Sequence, residues 1–118
     1  MTELINKSCE PCRAGAPGLE DSKIEEYMKN VPEWEVLYDE SEGGMKKLKR
    51  KYSLKNFREA IDFADAVGEA AEENGHHPAM LVEYGALTVW WWTHKIGGLH
   101  ENDFIMAAKT DALFAGKA

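Results

Sequence analysis

The run Leu87-Thr88-Val89-Trp90-Trp91-Trp92-Thr93-His94 restricts the fold more than any other segment of the chain. It is β-branched and aromatic, so it reads as a strand. It is apolar on both faces, so both faces of that strand need cover. The two-residue period of a strand puts Trp90 and Trp92 on one face and Trp91 on the other. A face left in water would be a large apolar patch, so a partner subunit or a ligand is expected over it. Met80, Val82 and Tyr84 face one way in the run before it, and Gly85-Ala86 turns the chain, so residues 78–94 read as a β-hairpin ended by Gly97-Gly98. Residues 33–52 repeat the theme. Trp34, Val36 and Tyr38 alternate with Glu33, Glu35 and Asp39, Ser41-Glu42-Gly43-Gly44 is a turn, and Leu48, Arg50 and Tyr52 alternate with Lys47, Lys49 and Lys51. The lysines read as a solvated face, paired across the hairpin with the acidic strand before them.

Three helical stretches surround the hairpins. Ser22-Lys23-Ile24-Glu25 has the spacing of a capping box, and Ile24, Tyr27, Met28 and Val31 form one apolar stripe before Pro32 stops the helix. Residues 53–74 form the strongest helix, about 30 Å long, with Ser53 as N-cap and Leu54, Phe57, Ala60, Ile61, Ala64, Val67, Gly68 and Ala71 on one stripe. Gly75 suits the left-handed position that ends it. A last helix begins near Glu101, with Phe104, Ile105, Ala108, Ala112 and Leu113 on its apolar side. The order helix, hairpin, long helix, hairpin, helix predicts an α+β two-layer sandwich: a four-stranded antiparallel sheet with three helices on one face. Residues 19–118 are expected to be one such domain, and residues 1–18 an irregular arm.

Charge narrows the function classes. Among 118 residues, Asp plus Glu number 21 and Lys plus Arg 14, a formal charge of −7. That is the wrong sign for a phosphate-backbone footprint. No apolar run approaches a membrane span, and the first residues lack the apolar core of a signal peptide. A cytoplasmic protein without nucleic-acid or membrane partners is expected. Cys9 and Cys12 have C-x-x-C spacing, but Pro11, Gly15, Pro17 and Gly18 surround them. There is neither a βαβ context for a redox pair nor a second pair to complete a zinc site.

The four histidines are grouped. His76 and His77 follow the long helix, His94 ends the last strand and His100 starts the last helix. Pairing about Gly85-Ala86 sets position 94 opposite position 77, so these imidazoles meet at one end of the hairpin. Gly97-Gly98 lets Asp103 fold back toward them. Three imidazoles near a carboxylate admit general acid/base catalysis by groups that titrate near neutral pH, a metal site of histidines with or without the aspartate, or a structural turn with Asp103 serving the helix dipole.

Glu72-Glu73-Asn74-Gly75-His76-His77-Pro78, then Tyr84, Thr93-His94-Lys95-Ile96-Gly97-Gly98-Leu99 and Asn102-Asp103-Phe104 together resemble the signature of pterin-4a-carbinolamine dehydratases. The resemblance extends to Trp34 and to Phe57, Ala60 and Phe63, and covers roughly residues 20–115. It implies a hydro-lyase that dehydrates 4a-hydroxytetrahydropterin to the quinonoid dihydropterin with no metal and no organic cofactor, recycling the pterin used by an aromatic amino acid hydroxylase. It implies catalytic roles for His76, His77, His94 and Asp103: His76 and His94 moving protons, His77 mainly holding substrate, and Asp103 orienting an imidazole. Glu72, Gly75, Trp92, Thr93 and Lys95 are the further residues expected around the substrate, with Trp92 stacking on the bicyclic ring.

The chain departs from that signature where the family usually has Asn before His-His (Gly75 here), a Tyr-Asn turn (Tyr84-Gly85 here) and a capping Thr (His100 here, a poorer cap and expected at the surface). A homodimer or homotetramer is expected, through edge pairing of strands and cover of the open sheet face. A dimerisation or regulatory protein and a pterin-related accessory protein are the alternatives to the enzyme.

Overall fold

A computed structural model describes residues 19–39, 45–93 and 98–117. The arm with Cys9 and Cys12, the Ser41–Gly44 turn, and His94, Lys95 and Gly97 lie outside the described residues. The elements are α1 (Asp21–Met28), β1 (Glu35–Asp39), β2 (Met45–Ser53), α2 (Phe57–Asn74), β3 (Ala79–Glu83), β4 (Ala86–Trp91) and α3 (Glu101–Lys117). The strands form one antiparallel sheet in the order β1-β2-β4-β3, so the inner strands of the two hairpins lie side by side. This is the expected α+β architecture.

Alternation along the strands sorts the sheet into two faces. Leu48, Tyr52, Leu87, Val89 and Trp91 point into the core, where they meet Phe63, Val67 and Ala71 of α2 and Phe104, Ile105 and Met106 of α3. Trp90 and Trp92 lie on the opposite face. There the Lys47 ammonium sits 4.1 Å from the Trp92 ring centroid, a cation–π contact. Lys47 is only 8% exposed, so the expected solvated lysine face is in part a buried cation held over tryptophan. Glu35 is opposite Lys49, as the charge pattern implies.

Four local expectations need correction. The long helix begins at Phe57, not Ser53, because the Asn56 side chain accepts the Glu59 N–H at 2.9 Å and so takes the N-cap. Leu54 is thereby left outside the helix, and its N–H donates to Gly85 O at 2.8 Å. The first helix begins at Asp21 behind Glu20, which caps it without a side-chain bond, so the Ser22 capping box does not form. In the second hairpin the turn is Tyr84-Gly85, with Glu83 opposite Ala86. Gly85 adopts φ 73°, a left-handed conformation that glycine takes without strain. The register therefore slips by two residues from the predicted one, faces are kept, and Tyr84 is exposed. Of the last helix's predicted stripe, Phe104, Ile105 and Ala108 are buried, but Ala112 is exposed.

The helix layer is fastened to the sheet by one carboxylate oxygen. Asp111 Oδ1 on α3 accepts from Trp34 Nε1 at 2.9 Å, Arg50 at 2.7 Å and the Tyr52 hydroxyl at 2.6 Å. Burial first, and the neighbouring carboxylate second, hold the Tyr52 phenol far above its ordinary range, so it stays a donor. On the other side Tyr27 of α1 stacks on Phe104, centroids 5.2 Å apart, and donates to Glu101 Oε2 at 3.2 Å. Asp111→Ala strands three donors at once and is expected to cost about 3 kcal/mol. Urea denaturation reads this as a lower midpoint at unchanged slope, with Asp111→Asn losing clearly less because it keeps an acceptor.

Candidate active site

The C-terminal end of α2, the end of β4 and the N-terminus of α3 meet at one end of the molecule. Gly75, at φ 64°, closes α2. Its N–H bonds Glu72 O at 3.4 Å and the His76 N–H bonds Ala71 O at 3.2 Å, the paired bonds of a Schellman ending. His76 is thus aimed by its own backbone. Just past the end of β4, on the same side, Thr93 pairs with Gly98 through N–H···O bonds of 3.0 and 3.4 Å. The chain therefore returns to the sheet just before α3.

Asp103 joins these three ends. Its side chain is fully buried. Oδ1 accepts from His76 Nε2 at 2.6 Å, and Oδ2 accepts the Thr93 hydroxyl at 2.9 Å and the His100 backbone N–H at 2.9 Å. With both oxygens acting as acceptors, the proton of the His76 pair belongs on Nε2, and Nδ1 is the ring atom left to exchange a proton. The His76 ring is 11% exposed and lies nearly parallel to the Trp91 indole, centroids 5.7 Å apart at 14°.

His100 is not a bystander. Its Nδ1 accepts the Asn102 N–H at 3.0 Å while Asp103, three residues on, accepts the His100 N–H. That is the reciprocal geometry of a capping box with an imidazole as the cap. The expectation of a poor cap and a surface residue is corrected: the ring is half-buried and serves the helix end.

The remaining predicted residues divide. His77 Nε2 meets Glu72 Oε2 at 2.5 Å, an exposed pair, on the rim of an open cleft of about 650 Å³ between α2 and β3 that Pro78 and Met80 also line. Thr93 is buried against Asp103. The Trp92 ring lies beneath the Lys47 ammonium and packs against the edge of the core. Among the described residues no group of three or more His, Cys, Asp or Glu is arranged to hold a metal ion, and His94 is outside that set. Two features escaped the sequence reading: Trp91 as the floor under His76, and Thr110, whose hydroxyl accepts from Trp91 Nε1 at 3.3 Å. A signal existed, since Thr110 follows Asp103 by seven residues and so shares its helix face.

A family model described as Pterin 4 alpha carbinolamine dehydratase matches residues 17–113. The chain belongs to this family. Members of the dehydratase family are hydro-lyases. A relative from Nitrosococcus oceani, provisionally named pterin-4-alpha-carbinolamine dehydratase, is 50% identical over 96% of this chain and 97% of its own. One of the same provisional name from Marinobacter nauticus is 49% identical over 97% and 100%. Among solved structures, a crystal structure described as transcriptional coactivator/pterin dehydratase from Brucella melitensis superposes with a TM-score of 0.72 at 27% identity, covering 81% of this chain and 97% of that one. No helix among the described residues is long and apolar enough to cross a membrane.

The capping geometry at this dehydratase-family site carries its own test. His100→Ala removes the acceptor for Asn102 N–H and is expected to lower stability by about 1 kcal/mol, whereas His100→Asn restores a cap and most of the loss. Thermal unfolding of the three proteins measures the difference.

Proposed function

We propose that this chain dehydrates 4a-hydroxytetrahydropterin to the quinonoid dihydropterin by histidine general acid/base catalysis, one step in recycling the tetrahydropterin used by an aromatic amino acid hydroxylase; reduction of the dihydropterin falls to a separate reductase. The observation that carries the reading is the His76–Asp103 bond, 2.6 Å long and buried at the meeting of three chain ends. The reaction breaks the C4a–O bond: the hydroxyl takes a proton and leaves as water, and a ring N–H gives up a proton. Nothing is oxidised or reduced. Both transfers lie within the reach of imidazole at neutral pH. His76, its Nε2–H committed to Asp103, exchanges its proton at Nδ1. His94, the residue after Thr93, is the second proton-transfer group. His77 and Glu72 hold the pterin at the rim, with Gly75, Thr93 and Lys95 around it.

The description of the Brucella structure as a transcriptional coactivator supports a second, regulatory reading of the fold. The two readings separate by assay. Stopped-flow dehydration is expected to show His76→Ala and His94→Ala each slower by about 10²-fold, the usual worth of one general acid or base. Near wild-type rates in both folded variants would overturn the acid/base assignment.

A homodimer or homotetramer is also proposed. β1 and β3 are sheet edges, Leu81 on β3 is 47% exposed, and Trp90 lies on the open face. Antiparallel pairing of an edge across a two-fold axis would satisfy its unpaired backbone groups, and a two-fold is the commonest closed symmetry. Sedimentation equilibrium at micromolar concentration is expected to show a multiple of 13.3 kDa. A monomer there would refute it.

A further inference from the structure

Asp103 alone under-determines the geometry of His76. A single bond at Nε2 fixes one ring atom and leaves the ring free to swing about it, carrying Nδ1 with it. The plane is set elsewhere. The Trp91 indole lies beneath the imidazole at 14° and 5.7 Å, within the range of offset stacking. Trp91 is fully buried, so its own plane is set by the core. Its Nε1–H points to Thr110 Oγ1 at 3.3 Å, and the Thr110 hydroxyl spends its proton on Met106 O at 2.6 Å, which turns a lone pair toward the indole. Asp103, Met106 and Thr110 stand at i, i+3 and i+7 on α3, one face of one helix. That face holds the imidazole by its edge through Asp103 and by its flat side through Trp91.

We infer that Trp91, held by Thr110, is a positioning residue that fixes the ring plane of His76 and hence the direction in which Nδ1 meets the substrate. This rests on the acid/base reading above and adds to it a second constraint on the same imidazole. A proton in flight tolerates little misplacement: an error of about 1 Å at a reacting group costs on the order of 10²-fold in rate. Substrate contacts at the rim are untouched by the indole, so loss of the plane falls on kcat and spares KM.

The test compares His76→Ala, Trp91→Phe, Trp91→Leu, Thr110→Val and, as a control for loss of stability, Phe63→Leu. Phe63 is equally buried but packs on Tyr52 and Phe114, away from the site. Trp91→Leu is expected to lower kcat about tenfold with KM within about twofold, and Trp91→Phe, which keeps a flat ring, to stay within about threefold of wild type. Thr110→Val keeps the indole but frees it, and is expected to fall between them; it carries the test if Trp91→Leu does not fold. Phe63→Leu is expected to lose stability and keep kcat. In proton NMR the carbon-bound ring protons of His76 are expected to lose the indole ring-current shift in Trp91→Leu. Wild-type kcat in Trp91→Leu or Thr110→Val, beside an inactive His76→Ala, overturns this inference alone. A wild-type rate in His76→Ala overturns the acid/base reading beneath it.

Discussion

The buried carboxylate of Asp103 is the group on which both fold and site depend. A carboxylate without solvent contact is tolerated only where donors replace the water it has lost. Here the donors are an imidazole, a hydroxyl and a backbone N–H, drawn from the end of α2, the end of β4 and the residue before α3. The helix dipole adds a favourable field at that position. The three chain ends converge because one anion needs all three, and the convergence is what places His76 beside Thr93. The proposed acid/base site and a helix cap therefore share one side chain, so the site is as rigid as the packing around it.

A single helix distributes these constraints. At its start α3 presents Asp103 to His76, and eight residues on it presents Asp111 to Trp34, Arg50 and Tyr52. The first carboxylate serves the β3–β4 hairpin and the second the β1–β2 hairpin. Between them Phe104, Ile105 and Met106 fill the core. Arg50 reinforces the second junction by lying 4.4 Å from the Tyr52 ring centroid while it pairs with Asp111. The charge is needed there because a buried phenol and a buried indole N–H both require an acceptor, and one carboxylate oxygen satisfies both.

What the sequence discloses follows its periodicities. The triple tryptophan and the lysine alternation reveal their strands and faces, because side-chain direction along a strand is a local property. Gly75 reveals the end of α2 for the same reason. The approach of His76 and Asp103 to the end of β4 is legible only through register, and even a register wrong by two residues keeps faces and hairpin ends in place. The caps are less legible: Ser53 and Asn56 are both acceptable N-caps, and the choice falls to Asn56 because Ser53 is still paired with Ala86 in the sheet and the Leu54 N–H is taken by Gly85 O. Asp111 and Thr110 are silent because a polar residue in a helix looks solvated until its partners, some 20 to 80 residues earlier, are folded against it. Trp92 reads as a substrate platform because alternation puts it on the strand face of His94, and the same alternation leaves Trp91, on the other face, as the ring neighbour of His76.

The positions where this chain departs from its family's usual pattern are the ones where local geometry, not residue type, is the requirement. Gly75 and Gly85 both sit at positive φ, 64° and 73°. Asn and Gly are the two residues that occupy such positions at least cost, so exchanging one for the other preserves the helix ending and the turn. At the third position the need is an acceptor for a free helix N–H, which a hydroxyl ordinarily meets. His100 Nδ1 meets it at 3.0 Å, provided its ring proton is on Nε2. That substitution changes more than the other two, because an imidazole cap has a proton-bound state in which Nδ1 no longer accepts. The helix that carries Asp103 is therefore capped by a group able to lose its capping bond on protonation, which a hydroxyl in the same place cannot do.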